Sequence, residues 1–117
     1  IIISHVLEHI NNPEEFLIEM MRTLKRGGVL SISLPTDPGL LWRSSRNMIK
    51  LFVLNRTQKL SNIEYDYINY TEHINSIFNL RNIIKYNYRN NIQETFLPFR
   101  IRLPDLNLFY NVHITKL

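Results

Sequence analysis

The hydrophobic and polar positions of the first 35 residues follow first a strand pattern, then a helix pattern, then a strand pattern. Ile1-Ile2-Ile3 is a β-branched run that predicts the end of a buried strand. Apolar residues then recur at helical spacing; they are Phe16, Leu17, Met20, Met21 and Leu24. Residues 29–34 are apolar or small at every position, which predicts a central strand covered on both faces. The expected geometry is a parallel strand pair joined by a right-handed crossover.

Start and stop signals flank the helical stretch. Asn12 can cap the free backbone N–H groups, Pro13 suits the first helical position, and Glu15 completes a capping-box-like pair. At the other end, Lys25 favours the negative helix terminus and Gly27 suits a left-handed stop. The sequence therefore predicts a helix that begins at Pro13 and ends before Gly27.

The middle of the chain is less regular. Residues 40–54 predict a helix that carries Arg43, Arg46 and Lys50 near one stripe. The polar, tyrosine-rich stretch that follows shows no clear periodicity. Residues 36–74 are therefore the least regular part of the chain.

The last third of the chain predicts one helix and two strands. Asn75 is the predicted cap of a helix that runs from Ser76 to about Tyr86. Residues 92–97 predict a weak strand, and strict alternation over 106–115 predicts a half-buried one. These two strands are expected to form an antiparallel hairpin.

Composition limits the classes of protein that the chain can represent. Its 117 residues suit one small domain, and the absence of cysteine excludes disulfides and thiolate zinc sites. A net charge of +4 is too mild and too scattered to indicate a nucleic-acid partner. No apolar run is long enough to cross a bilayer, so we expect a cytoplasmic protein. The chain starts at Ile1 inside an apolar run, and we expect it to be a fragment truncated at its N-terminus.

The residues from His5 to His9 match H-x-x-E-H, the pattern of a zinc metallopeptidase helix in which Glu is the general base. That site requires a continuous helix, which holds both histidines on one face, and a further ligand from elsewhere. Here the motif follows a strand-like run, and Pro13 comes too soon after it for a long helix. We therefore predict a loop without a metal, and keep the zinc metallopeptidase as an alternative. The letters Glu-His-Ile-Asn recur at 8–11 and 72–75, each time before a helix.

The first third of the chain resembles the class I S-adenosylmethionine-dependent methyltransferases. In that family the fourth strand ends in a loop that reads roughly L-E-H-[LIV], and the next helix ends in R-x-L-K-P-G-G before the fifth strand. Leu7-Glu8-His9-Ile10 and the residues from Arg22 to Gly28 match in order and spacing. Arg26 stands where Pro is usual. The TEHIN stretch at 71–75 also looks like members of this family.

The resemblance implies an α/β fold, a three-layer Rossmann-like methyltransferase sheet that is mixed because its last strand is antiparallel. Residues 1–117 would be the C-terminal part of one methyltransferase domain. Within it, 1–35 would be core strand-helix-strand, 36–74 the acceptor-side insert, and 75–117 the helix and terminal hairpin. The implied cofactor is S-adenosyl-L-methionine. Its Gly-rich turn and ribose-binding acid are not in these residues, so we expect them upstream and expect the chain alone to be inactive.

The resemblance also implies roles for particular residues. Ser4 and His5 follow the strand that borders the methionine part of the cofactor, so they are the candidate cofactor contacts. His9 and His73 are the candidate bases for an acceptor that must lose a proton.

The family builds its acceptor pocket in this insert, so the resemblance makes Arg43, Arg46 and Tyr67 the candidate acceptor contacts. Aromatic and basic residues suit a phosphorylated, acidic or glycan-linked acceptor, and we expect a small-molecule, glycan-linked or lipid-linked one. A non-catalytic interaction module stays open as an alternative, in which the basic amphipathic helix 40–54 makes peripheral contact with an anionic membrane. Oligomeric state is not predicted.

Overall fold

A computed structural model describes residues 1–57 and 61–117, and the side chains of 53–57 are outside the described part. In chain order the elements are β1 (Ile2–Ser4), a 3₁₀ turn (Leu7–His9), α1 (Pro13–Thr23), β2 (Val29–Pro35), α2 (Leu40–Thr57), α3 (Asn62–Glu72), α4 (Ile77–Tyr88), β3 (Ile92–Leu97), a second 3₁₀ turn (Pro104–Leu106) and β4 (Phe109–Thr115). The helix predicted over 40–54 is therefore described in full only as far as Phe52. None of the helices in the described ranges is long and apolar enough to cross a membrane.

The four strands form one mixed sheet in the order β1-β2-β4-β3. β1 and β2 are parallel, and Ile3 pairs with Ile32. β4 is antiparallel to both of its neighbours, β2 and β3. The predicted parallel pair, the antiparallel last strand and the terminal hairpin are all confirmed.

One face of the sheet carries the hydrophobic core. Side chains from all four strands are buried there against α1 and α4 in a single cluster. The strand residues of the cluster are Ile3, Leu30, Ile32, Leu34, Phe96, Tyr110, Val112 and Ile114. α1 contributes Leu17, and α4 contributes Ile77, Leu80 and Ile84. Because strand side chains alternate between faces, this one cluster places α1 and α4 on the same side of the sheet.

The centre of the opposite face is polar in the described chain, and exposed apolar residues such as Ile2 lie near its margin. Ser31 and Ser33 of β2 point there and are half-buried, and Ser31 hydrogen bonds to His113 of β4 at 2.8 Å. β2 was predicted to be covered on both faces, but the described residues cover only one. The reason is visible in its alternation, since each serine lies between two fully buried aliphatic residues. The described residues thus form a mixed α/β fold in which α1 and α4 cover one face of the sheet, while Trp42 of α2 contacts Phe109 on the other face, with ring centres 6.1 Å apart.

A carboxylate ties the edge of the core to α4. Glu94 of β3 accepts hydrogen bonds from the Arg81 guanidinium at 2.8 Å and from the Tyr110 hydroxyl at 3.0 Å. Burial alone would raise the pKa of Glu94, but Arg81, together with Tyr110 and Lys85, lowers it below the usual value. Burial and the neighbouring carboxylate raise the pKa of Tyr110. Glu94 therefore stays ionised, and the Tyr110 hydroxyl stays neutral, through the physiological pH range.

The helix signals of α1 are confirmed. The Asn12 side chain accepts a hydrogen bond from the Glu15 backbone N–H at 3.3 Å and donates one to the Glu15 carboxylate at 2.9 Å. Pro13 is the first helical residue, and Gly27 has φ +77°. That left-handed backbone turns the chain from α1 towards β2, as predicted.

Three boundaries differ from the sequence prediction. The tyrosine-rich stretch forms α3, and a complete capping box between Ser61 and Glu64 starts it. Ser76, not Asn75, caps α4. β4 begins at Phe109 instead of residue 106, because the 3₁₀ turn that starts at Pro104 occupies the preceding positions. The tyrosines therefore lie on a helix that pairs with α2.

Candidate functional site

The carboxyl ends of the two parallel strands lie side by side at one edge of the sheet. Ser4 is the last residue of β1 and pairs with Ser33 of β2. His5 continues from β1 with its N–H donating to the Ser33 carbonyl at 3.0 Å, and it has φ +53°. This backbone turns away from the strand in the left-handed region and is not helical. The helix that a zinc metallopeptidase requires is absent from 4–12, so that interpretation of H-x-x-E-H is wrong.

The 3₁₀ turn after β1 is held by residues far away in the sequence. The backbone N–H groups of Ile74 and Asn75 both donate to the Glu8 carbonyl, at 2.9 and 3.0 Å. The Asn75 side-chain amide donates to the carbonyls of Leu7 at 3.0 Å and Ile10 at 2.6 Å. The two Glu-His-Ile-Asn segments therefore pack directly against each other, which explains why Asn75 is not the cap of α4.

Two histidines face each other across this contact. The rings of His9 and His73 are 5.1 Å apart in an edge-to-face arrangement. His9 Nδ1 hydrogen bonds to the Glu72 carbonyl, and His73 Nδ1 lies 2.6 Å from Oδ2 of Asp37. A carbonyl or carboxylate oxygen only accepts, so each Nδ1 carries the proton. In the neutral rings each Nε2 therefore keeps a lone pair.

Glu8 is a buried carboxylate in the middle of this group. It is 2% exposed, and among the described residues neither of its carboxylate oxygens has a hydrogen-bond partner. Its nearest basic atoms are His5 Nδ1 at 3.6 Å and His9 Nε2 at 3.8 Å. Burying a carboxylate without hydrogen bonds is costly. The loop is held through the Glu8 backbone carbonyl and not through this side chain.

Asp37, just beyond β2, links the histidines to α2 and α3. The Asp37 carboxylate contacts His73 and also lies 3.8 Å from the Arg46 guanidinium. The Arg46 guanidinium lies over the Tyr70 ring, 5.3 Å from its centre. Lys50 of α2 pairs with Asp66 of α3 at 2.6 Å. A cavity of about 180 Å³ opens beside Asp37, Tyr70 and His73. The insert thus forms one wall of a small polar cleft at the strand ends.

The structure brings together some of the predicted site residues and separates others. His5, His9 and His73 meet around Glu8, while Ser4 is exposed at the end of β1. Arg46 faces the cleft through its ion pair with Asp37, and in the described part of the chain Arg43 is exposed and makes no ion pair.

Tyr67 is 68% exposed on α3, and Tyr70 is the tyrosine that contacts Arg46. Sequence reasoning missed the role of Asp37 as the partner of His73. Its position directly after a core strand was the available signal.

One family model matches the chain. It is described as a methyltransferase domain, and it matches residues 1–32. The match spans β1, the 3₁₀ turn, α1 and the first part of β2, about a quarter of the chain. The resemblance is therefore confirmed for this N-terminal part. No curated protein and no solved structure matches the chain.

Proposed function

We propose that the chain is the acceptor-side part of an enzyme that transfers a methyl group from S-adenosylmethionine to a small-molecule, glycan-linked or lipid-linked acceptor. The observation that carries this proposal is the methyltransferase-domain match over residues 1–32, which includes Ser4 and His5 at the strand edge where the polar cleft lies. In open α/β sheets, ligands bind beyond the carboxyl ends of the strands. Those ends here are Ser4 with His5, and Pro35 with Asp37.

The proposed cofactor contacts are Ser4 and His5. When bound, the cofactor would supply an activated methyl group on sulfur, and the chain would orient the acceptor and remove a proton from it where the acceptor has to lose one. In the full-length protein Ser4→Trp should weaken cofactor binding measured by calorimetry, because the bulky ring would fill the exposed end of β1. Ser45→Trp on α2 is the control. An unchanged dissociation constant for Ser4→Trp would remove this residue from the site.

The proposed bases are His73 and His9. His73 is the better placed of the two, since Asp37 fixes its ring and directs its free Nε2 lone pair away from the carboxylate. In the full-length enzyme, His73→Gln should lower the rate of methyl transfer at saturating acceptor more than it lowers cofactor affinity. Equal kinetic constants for this variant and the wild type would exclude proton transfer through His73.

The proposed acceptor contacts on the insert are Arg43, Arg46 and Tyr67. Arg43 gives the cleanest test, because Arg46 also holds Asp37 and its loss would disturb the cleft. Arg43→Glu in the full-length enzyme should raise KM for an anionic acceptor and leave cofactor affinity unchanged. The effect should shrink at high salt, since exposed charges are screened over roughly 8–10 Å at physiological ionic strength.

Arg26→Glu is the matched control for that experiment. Arg26 is also exposed, but it lies at the opposite end of β2 from the cleft. If both reversals change KM equally, the effect belongs to net charge and Arg43 has no specific contact with the acceptor.

A second candidate function is peripheral membrane contact through α2. Its apolar side chains Met48, Ile49, Leu51 and Phe52 are between 55% and 71% exposed, alongside basic residues of the same helix. Such a surface suits an anionic bilayer. Sedimentation with anionic liposomes that is lost in Ile49→Ser, with methyl transfer unaffected, would favour this role.

The proposal also includes the architecture outside the described residues. A third layer would cover the polar face formed by Ser31, Ser33 and His113. The Gly-rich turn and the ribose-binding acid are not among the 117 residues, so the chain alone should bind S-adenosylmethionine weakly and be inactive. Micromolar binding of the cofactor by the isolated chain would contradict this part of the proposal. Cytoplasmic localisation remains a prediction.

A further inference from the structure

One carboxylate and two imidazoles converge beside the 3₁₀ turn. Glu8, His9 and His73 each offer a ligand atom that lies within 4.8 Å of the other two. Glu8 and His9 come from the turn after β1, and His73 follows the last residue of α3. We propose that these three side chains bind a divalent transition-metal cation of the Zn²⁺ type. A cation bound through Nε2 would exclude His9 and His73 as bases, so this site is an alternative to that role and does not depend on the methyl-transfer function proposed above.

Both imidazoles make the hydrogen bonds that are typical of metal-binding histidines. A histidine that binds a metal through one ring nitrogen usually donates the other N–H to a carboxylate or to a backbone carbonyl. His73 Nδ1 donates to the Asp37 carboxylate at 2.6 Å, and His9 Nδ1 donates to the Glu72 carbonyl. These two hydrogen bonds fix the ring tautomers and leave each Nε2 lone pair for a cation.

Glu8 is the independent observation that points to a ligand. Its carboxylate is almost fully buried and lacks a hydrogen-bond partner among the described residues, while His9 Nε2 lies 3.8 Å away. That separation is too long for a hydrogen bond, and a buried anion needs a compensating charge. A cation between Glu8 and the two imidazoles would supply that charge directly.

The donor set indicates which cations fit. Two imidazole nitrogens and one carboxylate oxygen match the three protein ligands of open zinc sites, which leave further positions to water or to another ligand. Imidazole suits zinc and other first-row transition ions, whereas Mg²⁺ and Ca²⁺ prefer oxygen ligands. We therefore expect Zn²⁺ or Co²⁺ to bind and Mg²⁺ to compete poorly.

The spacing of the ligands has a consequence for stability. Zinc bonds of about 2.0–2.1 Å place tetrahedral ligands roughly 3.3 Å apart. The ligand atoms here lie within 4.8 Å of one another, and His9 Nε2 is 3.8 Å from Glu8, so binding has to draw the ligands closer together. Because a cation that binds only the folded chain stabilises it, Zn²⁺ should raise the melting temperature.

The residues of the H-x-x-E-H motif would have different roles in this site from those in a peptidase. In a peptidase helix the two histidines bind the metal and the glutamate is a base. Here Glu8 and His9 would be ligands, and the third ligand is His73 from the second Glu-His-Ile-Asn segment. His5 is outside the group of three, although its Nδ1 is 3.6 Å from Glu8.

The test is a Zn²⁺ titration of the full chain by calorimetry, with Co²⁺ absorption as a second readout of coordination by nitrogen and oxygen. The wild type should bind one equivalent. Glu8→Gln and His73→Gln should each weaken binding at least about 100-fold, since loss of an outer-shell partner alone typically costs 10–100-fold. Asp37→Asn should fall in that 10–100-fold range, because it acts only through the orientation of His73.

His113→Gln is the matched control, since His113 is an imidazole on the polar face of the sheet and hydrogen bonds to Ser31. The His113→Gln variant should bind Zn²⁺ with the affinity of the wild type. Circular dichroism would be used to check that each variant is folded. Glu8→Gln adds a second check, because it removes an uncompensated buried charge and so should not destabilise the metal-free chain. Undiminished Zn²⁺ binding in Glu8→Gln and His73→Gln, or no binding by the folded wild type, would overturn the assignment.

Discussion

Replacing Asn75 by alanine should release the strand-end turn from α3 and α4. The Asn75 amide is the only described side chain that donates to the carbonyls of both Leu7 and Ile10, at 3.0 and 2.6 Å. The alanine variant leaves both carbonyls without this donor. Leu7 is fully buried, so water cannot easily replace the lost bond at that position.

The expected cost follows from these two bonds. A typical hydrogen bond contributes about 1 kcal/mol net, and the Leu7 carbonyl keeps a second donor, the Ile10 N–H at 3.3 Å. We expect Asn75→Ala to lower the free energy of unfolding by about 1–2 kcal/mol, which is the net contribution of two hydrogen bonds. Asn75→Asp should cost at least as much, because it places acceptors opposite both carbonyls.

Urea unfolding of the full chain, followed by far-UV circular dichroism, measures this free energy. Asn82→Ala is the control, since Asn82 is exposed in the middle of α4 and alanine is the better helix former there. It should be neutral or slightly stabilising. A loss below about 0.5 kcal/mol for Asn75→Ala would show that the backbone bonds to the Glu8 carbonyl hold the turn without the side chain.

Three further predictions concern the fold. Leu80→Ala should cost about 2–5 kcal/mol of stability in a urea titration, because Leu80 is 1% exposed in the core, whereas Ile63→Ala on exposed α3 should cost little. Gly27→Ala should cost about 1–2 kcal/mol in the same assay, because Gly27 has φ +77° and no atom near its absent Cβ. In the Glu94→Gln variant the free energy of unfolding should fall less steeply with decreasing pH than in the wild type. The folded pKa of Glu94 is lowered, so its contribution is present above the unfolded value of 4.5 and is lost as pH falls below it.

Those three predictions have clear contrary results. A Leu80→Ala variant as stable as the wild type would mean that α4 does not complete the core. Gly27→Ala without any loss would mean that the turn after α1 relaxes to another conformation. An unchanged acid profile for Glu94→Gln would assign the acid sensitivity to other carboxylates.

Local signals were sufficient to predict the order of strand, helix and strand in the first 35 residues, but not which faces of β2 are covered. Asn12, Pro13 and Gly27 act on their own neighbours, so their positions could be read without knowing the fold. The same kind of signal was present in the insert, where Ser61 and Glu64 form a capping box, but the tyrosines after it obscured the helical pattern. α3 could therefore have been predicted, and the choice between Asn75 and Ser76 as the cap of α4 could not. Asn75 does not cap α4 because its side-chain amide donates to the carbonyls of Leu7 and Ile10.

The candidate site was predictable only in part, because its geometry depends on long-range contacts. His9 and His73 were identified from residue type, and their placement in the cleft follows from the pairing of two distant Glu-His-Ile-Asn segments. The sequence did not indicate that the Glu8 carboxylate would be buried without a partner. Nor did it indicate that Asp37 would orient His73, since that contact requires the insert to fold back across the strand ends.

The strand order has a consequence for how the chain folds during synthesis. The antiparallel partner of β2 is β4, which is far away in the sequence, since Val29 pairs with Thr115. Tyr110, Val112 and Ile114 of β4 also fill the centre of the core, so a nascent chain that lacks them has no completed sheet. Pairing between such distant segments is slow, because the entropy of closing the loop is lost before the contacts form. We therefore expect this sheet to be completed only after β4 has left the ribosome.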